Sequence, residues 1–247
     1  MNAEPSIQLR LLDLQVLDSA LDRLAHRRAT LPERAELERL TGRLDRLHYE
    51  IVAAETEDSD QEREQTKLEN DVEQVRARSS RDRSRLDSGQ VGSPRELENL
   101  QSEIASLARR QGDLEEQVLE VMERREALGS RLAELRAERA MLETERAAVT
   151  ERRDTAYAEI DAAAARDSQD RTQVAAELPG DLLSLYEKIR ADKGGVGAAA
   201  LRRGRCEGCH LSLPGSVLAD IRAAAPDAVP RCEECRRILV RTPESGL

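Results

Sequence analysis

Apolar residues recur at three- and four-residue steps along two stretches, Leu40 to Leu86 and Leu97 to Ile160, and that period leaves few folds open. In the first register the steps alternate four and three through Leu40, Leu44, Leu47, Ile51 and Ala54, then run on through Leu68, Val72, Val75 and Leu86. Asp58, Gln61 and Gln65 hold the middle seam positions, so weak packing is expected there. A second register runs through Leu97, Leu100, Ile104, Leu107, Leu114, Val118, Val121, Leu128, Leu132, Leu135, Leu142, Val149, Ala156 and Ile160. Such a narrow apolar line is buried only against another helix, so each register needs a partner. The composition suits a coiled coil, with 36% charged residues, 1% aromatic, no Phe and no Trp.

Between the registers lies Ser88-Gly-Gln-Val-Gly-Ser-Pro94. Gly89 and Gly92 relax the backbone, and Ser93, Pro94 and Glu96 supply a cap, a first-turn proline and a capping-box acid. A short connection favours antiparallel arms, in which residues whose numbers add to about 181 face each other. At about 1.5 Å per residue, an arm of roughly eighty residues would reach on the order of 120 Å. Leu14, Leu17, Leu21 and Leu24 follow a separate phase, so a short leading helix is expected, with a break near Thr30 to Pro32. Arg125, Arg139, Arg146 and Arg153 enter the second seam and are expected to pack their stems while their charges reach water. The fold class is mainly α: a long antiparallel coiled-coil hairpin over residues 1–177, followed by residues 178–247 as a connecting helix and a small ribbon.

The ribbon is read from Cys206-x-x-Cys209 and Cys232-x-x-Cys235. Two short-spaced pairs supply four thiolates for one tetrahedral zinc ion, and four thiolates leave no open position for water. The zinc is therefore expected to be structural. His210 follows Cys209 and is a weaker alternative ligand; two disulfides or a redox dithiol are the competing readings of the cysteines. Gly208 is expected to take the backbone twist of the first knuckle. Gly195 to Leu201 and Arg237 to Arg241 read as strands, Pro214 to Arg222 as a short helix, and Gly194 to Gly197 as a flexible lead-in. Leu182, Leu185 and Ile189 share one face of a helix that opens after Leu178-Pro-Gly. So small a module must draw much of its folding energy from the metal.

The formal charge is −10, with +2 on residues 178–247 and −12 on residues 1–177. That balance disfavours nonspecific attraction to nucleic acid or an anionic membrane. The start has no basic segment followed by an apolar core, and no run of about 18 apolar residues occurs. A cytoplasmic protein with no membrane and no small-molecule substrate is expected. In a reducing compartment, clustered cysteines favour metal over disulfides.

PRELENLQ from Pro94 to Gln101, LLSLYEKIR from Leu182 to Arg190, the paired CEGC and CEEC, and Arg237-Ile-Leu239 together resemble the bacterial C4-type zinc-ribbon and coiled-coil hairpin family. The resemblance covers essentially the whole chain and carries the zinc ligands onto Cys206, Cys209, Cys232 and Cys235. The family often has Gly after the last cysteine, where this chain has Arg236. The resemblance implies regulatory work: one member looks like a flagellar-regulator adaptor that binds an alternative sigma factor and a flagellin messenger RNA, and another is associated with secretion components.

No residues resemble a nucleophile with its base or a phosphate-cradling loop, so no catalytic residue is assigned. A non-enzymatic adaptor or regulatory protein is expected, engaging protein partners, among them transcription or secretion machinery, through the coiled coil and ribbon. The alternative is RNA or DNA binding through Arg202, Arg203, Arg205, Arg236, Arg237 and Arg241, which zinc would bring together. Against it stand the near-neutral module and Tyr186 as its only aromatic. A purely architectural scaffold is the remaining reading.

Overall fold

The computed structural model describes residues 1–247. Its elements are α1 (Pro5–Ala29), α2 (Pro32–Asp87), α3 (Pro94–Ala176), α4 (Gly180–Asp192), β1 (Ala198–Arg202), β2 (Arg205–Cys206), α5 (Gly215–Ala223) and β3 (Ile238–Arg241). The break at Pro32 is where the sequence places it. Thr30 closes α1 by donating its hydroxyl to the carbonyl of His26 at 2.8 Å, and Pro32 opens α2. At the turn, Ser93 Oγ accepts from the amide of Glu96 at 3.2 Å, and Glu96 reaches back to the amide of Gly92 at 3.0 Å.

The chain forms two compact units, residues 36–149 and residues 1–35 with 150–247. In the first, α2 and α3 pair along the expected seam, with Leu47, Ile51 and Ala54 against Leu132 and Leu135, and Leu68 and Val72 against Leu114 and Val121. Antiparallel register shows in the ion pairs Arg43–Glu138, Glu50–Arg131, Arg78–Glu103 and Arg85–Glu96, whose numbers each add to 181. The polar seam is better matched than its sequence suggests. Arg125 reaches Asp58 at 3.1 Å, Gln65 at 3.1 Å and Glu62 at 3.4 Å, so the α3 cation answers the polar residues of α2.

The second unit divides the chain elsewhere than at 177/178, because the leading helix packs with the ribbon. β1 pairs with β3 in parallel and with β2 antiparallel, giving the order β2-β1-β3. Strands buried on both faces read as continuous apolar runs, and Ala198 to Leu201 and Ile238 to Val240 are such runs. Ala198, Ile238 and Val240 face Leu11 and Leu14 of α1, Val174 of α3, and Leu182, Tyr186 and Ile189 of α4. Ala199, Leu201 and Leu239 face Cys206 and Cys232. On α1 the buried face is Leu11, Leu14, Gln15 and Asp18, while Leu17, Leu21 and Leu24 are half-buried.

A polar knot crosses this core. Asp18 is 1% exposed and accepts from Tyr186 Oη at 2.6 Å and Arg171 Nε at 2.7 Å, with Arg190 Nε at 3.5 Å. Gln15 Oε1 accepts from the amide of Gly197 at 2.7 Å, and Gln15 Nε2 donates to the carbonyl of Gly195 at 2.9 Å. The lead-in is thus packed, not flexible, and a Cβ at Gly197 would sit 2.7 Å from the Tyr186 carbonyl oxygen. Burial, then the hydrogen bond to Asp18, pushes the Tyr186 phenol well above its usual range, so it stays a donor.

Breaking a buried ion pair from one side leaves the other charge unpaired. Asp18→Ala is expected to cost about 3–5 kcal/mol in the unit that contains α1, which chemical denaturation followed by circular dichroism would report.

Candidate metal centre

Each cysteine pair sits on a tight turn, and the two turns are built alike. The amide of the residue after the second cysteine bonds back to the first cysteine's carbonyl, His210 to Cys206 at 2.7 Å and Arg236 to Cys232 at 2.9 Å. The arginine before each pair, Arg205 or Arg231, donates to the carbonyl of His210 at 2.8 Å or of Arg236 at 3.0 Å. His210 has φ +61° and Arg236 φ +65°, left-handed values that favour glycine. Arg236 therefore adopts a backbone conformation that glycine takes more readily.

The two turns bring Cys206, Cys209, Cys232 and Cys235 together, with all four Sγ atoms within 4.8 Å of one another. Sγ separations are 3.8 Å for Cys206–Cys235 and 3.9 Å for Cys209–Cys232. A zinc tetrahedron with bonds of about 2.3 Å has edges of about 3.8 Å, so the four sulfurs fit one closed zinc site. His210 is exposed and lies outside the cluster.

Before metal binds, the thiols differ. Burial pushes Cys206 up to about 12 against opposing backbone hydrogen bonds, and burial also raises Cys232. Burial opposes ionisation of Cys235 too, yet the Arg237 amide, the Cys232 thiol and the Arg237 guanidinium outweigh it and bring its pKa down to about 7. Zinc must displace protons from the buried thiols, so its retention weakens as pH falls.

Arg237 ties the parts together, donating to the carbonyls of Gly208 at 3.0 Å, Val196 at 2.9 Å and Lys193 at 2.8 Å. Its side chain explains Gly208, where a Cβ would lie 2.8 Å from Arg237 Cδ and 3.0 Å from Ala199 Cβ. Gly208 is needed for space, because its φ is not in the left-handed region.

The proposed arginine patch is largely spent on the protein itself. Arg241 holds the loop before the second knuckle through the carbonyls of Ala225 at 3.0 Å, Pro226 at 2.8 Å and Ala228 at 2.6 Å. Arg205 and Arg237 are engaged as described, and Arg202 pairs with Glu244 at 2.6 Å. Arg203 and Arg236 keep exposed guanidinium groups without a partner. Tyr186 is fully buried and unavailable for stacking on a base. Sequence reasoning missed Gln8 and Arg231. Gln8 Nε2 donates to the carbonyls of Ala3 at 2.8 Å, Pro226 at 3.2 Å and Ala228 at 3.3 Å, and the amide of Ala3 bonds to Asp227 at 2.7 Å. The repeated arginine before each cysteine pair was the available signal for Arg231.

Residues 14–194 match the CT398-like coiled coil hairpin domain, and residues 205–239 match the C4-type zinc ribbon domain. The chain is 40% identical to the uncharacterized protein Rv2229c of Mycobacterium tuberculosis over 98% of each chain. A solved structure from Mycobacterium smegmatis is 36% identical and superposes with a TM-score of 0.86, covering 98% of this chain and 100% of the other. CT398 from Chlamydia trachomatis, 19% identical, shares the fold with a TM-score of 0.73 over 96% of this chain and 98% of its own.

Purified protein is expected to hold one zinc per chain by metal analysis. Cys232→Ser should release it and speed hydrogen exchange in α1 as well as in the ribbon, leaving residues 36–149 protected. Arg236→Gly should relieve the left-handed strain and stabilise the ribbon by about 1 kcal/mol, read as slower zinc loss to a chelator.

Proposed function

The chain belongs to the CT398-like coiled-coil hairpin family and ends in a C4-type zinc ribbon, and on that premise we propose that it is a non-enzymatic adaptor engaging partner proteins. The observation that carries this reading is the fate of the ribbon's arginines. Arg205, Arg237 and Arg241 bond to backbone carbonyls and Arg202 to a carboxylate, so the groups that would grip phosphates mostly hold the ribbon in shape. A closed shell of four thiolates gives the metal a folding role. The hairpin meanwhile exposes apolar side chains that its own seam does not use, Tyr49 at 73%, Leu119 at 60% and Met122 at 46%. A helical surface of this kind suits partner helices.

Partners in transcription or secretion accord with the family resemblance. A cytoplasmic location accords with cysteines reserved for metal, and no helix is long and apolar enough to cross a membrane. RNA or DNA binding keeps Arg203, Arg222 and Arg236 as free arginines on the ribbon, and a purely architectural role leaves the exposed apolar residues without use.

Affinity purification from cells, with and without nuclease, separates these readings. Protein partners are expected to persist after nuclease treatment; partners that vanish with it would replace the adaptor reading with an RNA or DNA bridge.

A further inference from the structure

The middle of the hairpin holds most of the charge of the chain. In the register set by the ion pairs, residues 55–76 of α2 face residues 105–126 of α3. The two stretches together carry fifteen carboxylates against seven cations, a net −8 in a protein of −10. Extending all four ends by seven residues adds four charges of each sign and leaves that balance unchanged.

One side of this acidic stretch is also apolar. Val72, Val118 and Leu119 line an open groove between α2 and α3, with Glu69, Glu73 and Glu115 beside them. Met122 and Glu126 continue the same face of α3, three and seven residues beyond Leu119. Arg76 is the one cation in the groove lining, and its bonds go to Glu73 and Glu115. Arg125, at the seam, is spent on Asp58 and Glu62. Glu69 bonds only to Gln65, and Glu126 is exposed with no cation beside it. The unpaired cations of the two stretches, Lys67, Arg109 and Arg110, do not line the groove.

Packing within the hairpin does not account for this arrangement. Val121 fills the seam here, whereas Leu119 and Met122 lie outside it and stay exposed. The α2 positions that face them are Glu62 and Ser59, which offer nothing apolar.

We propose that this groove docks a basic amphipathic helix of a partner protein, its apolar side chains over Leu119 and Met122 and its lysines or arginines against Glu69, Glu126 and their neighbours. The inference rests on the adaptor reading and names the chemistry of the partner. Charge selects the occupant. A second copy of the chain would bring another −8 to the same place, and nucleic acid or an anionic bilayer would be repelled likewise. An uncharged apolar helix would bury the glutamates without partners.

The test uses the full-length, zinc-loaded protein and fluorescence anisotropy with a labelled helical peptide whose leucines form one face and lysines the other. The peptide is expected to bind, to weaken with salt, and to lose about tenfold in affinity against the double variant Leu119→Gln, Met122→Gln and against Glu69→Gln, Glu126→Gln. Glutamine keeps helix propensity, so circular dichroism of each variant should match the parent. Glu57→Gln, Glu64→Gln removes the same charge away from the groove and should change affinity by less than about twofold. Failure of the peptide to bind overturns the proposal, as does an equal loss from both glutamate pairs, because the peptide would then be reading net charge alone. Sedimentation showing that the protein by itself self-associates through Leu119 and Met122 would also overturn it, making the groove a contact between copies. Anisotropy decides the groove and the nuclease-treated purification decides the adaptor reading, so the two can fail separately.

Discussion

The parallel pairing of β1 with β3 is the interaction on which the second compact unit depends. Alternation along these strands gives the sheet two apolar faces, one against α1, α3 and α4 and the other against the zinc knuckles. A ribbon of this size alone would have one small core and a metal. Here its central strands also form a wall of the helical core, so the metal and the helices stabilise the same strands from opposite sides. Arg237 reinforces the join, because a single guanidinium holds the first knuckle and both ends of the segment leading into β1.

The parts legible in the sequence are those set by local pattern. Heptad spacing located the hairpin seam, Ser93-Pro-Arg-Glu96 located the start of α3, and Cys-x-x-Cys spacing gave all four candidate ligands. The misread parts depend on partners far along the chain. Of the spacing Leu14, Leu17, Leu21 and Leu24 read for α1, Leu14 is fully buried and the other three only half, because Leu11, Gln15 and Asp18 complete the face turned to the sheet, α3 and α4. Tyr186 read only as the module's single aromatic, yet its hydroxyl is the donor that a buried Asp18 requires. Arg125 read as an intruder until Asp58 and Gln65 were found opposite it.

The ribbon arginines show why residue type alone is a poor guide to a binding surface. A cluster of guanidinium groups near a zinc knuckle suggests phosphate, but backbone carbonyls in tight turns need donors just as strongly. Carbonyl acceptors carry no signature in the sequence, so Arg237 and Arg241 could not be separated from Arg203 without the loop geometry. Gly208 is a similar case. Its φ is ordinary, and what fixes it is the arginine stem packed over it.

The division of the chain also bears on the order of assembly. Residues 36–149 are contiguous, whereas the unit around the sheet is made of two stretches from opposite ends of the chain. During synthesis the hairpin can close as soon as it has emerged, while α1 meets β3 only after more than two hundred residues of intervening chain have been made. Closing a loop of this length would cost on the order of 4 kcal/mol of chain entropy. Closure of the hairpin meets part of that cost, because contacts such as Arg39 with Glu145 hold its two ends together. A closed hairpin thereby shortens the loop that the other unit has to close, and lowers the chain entropy lost when its two stretches meet.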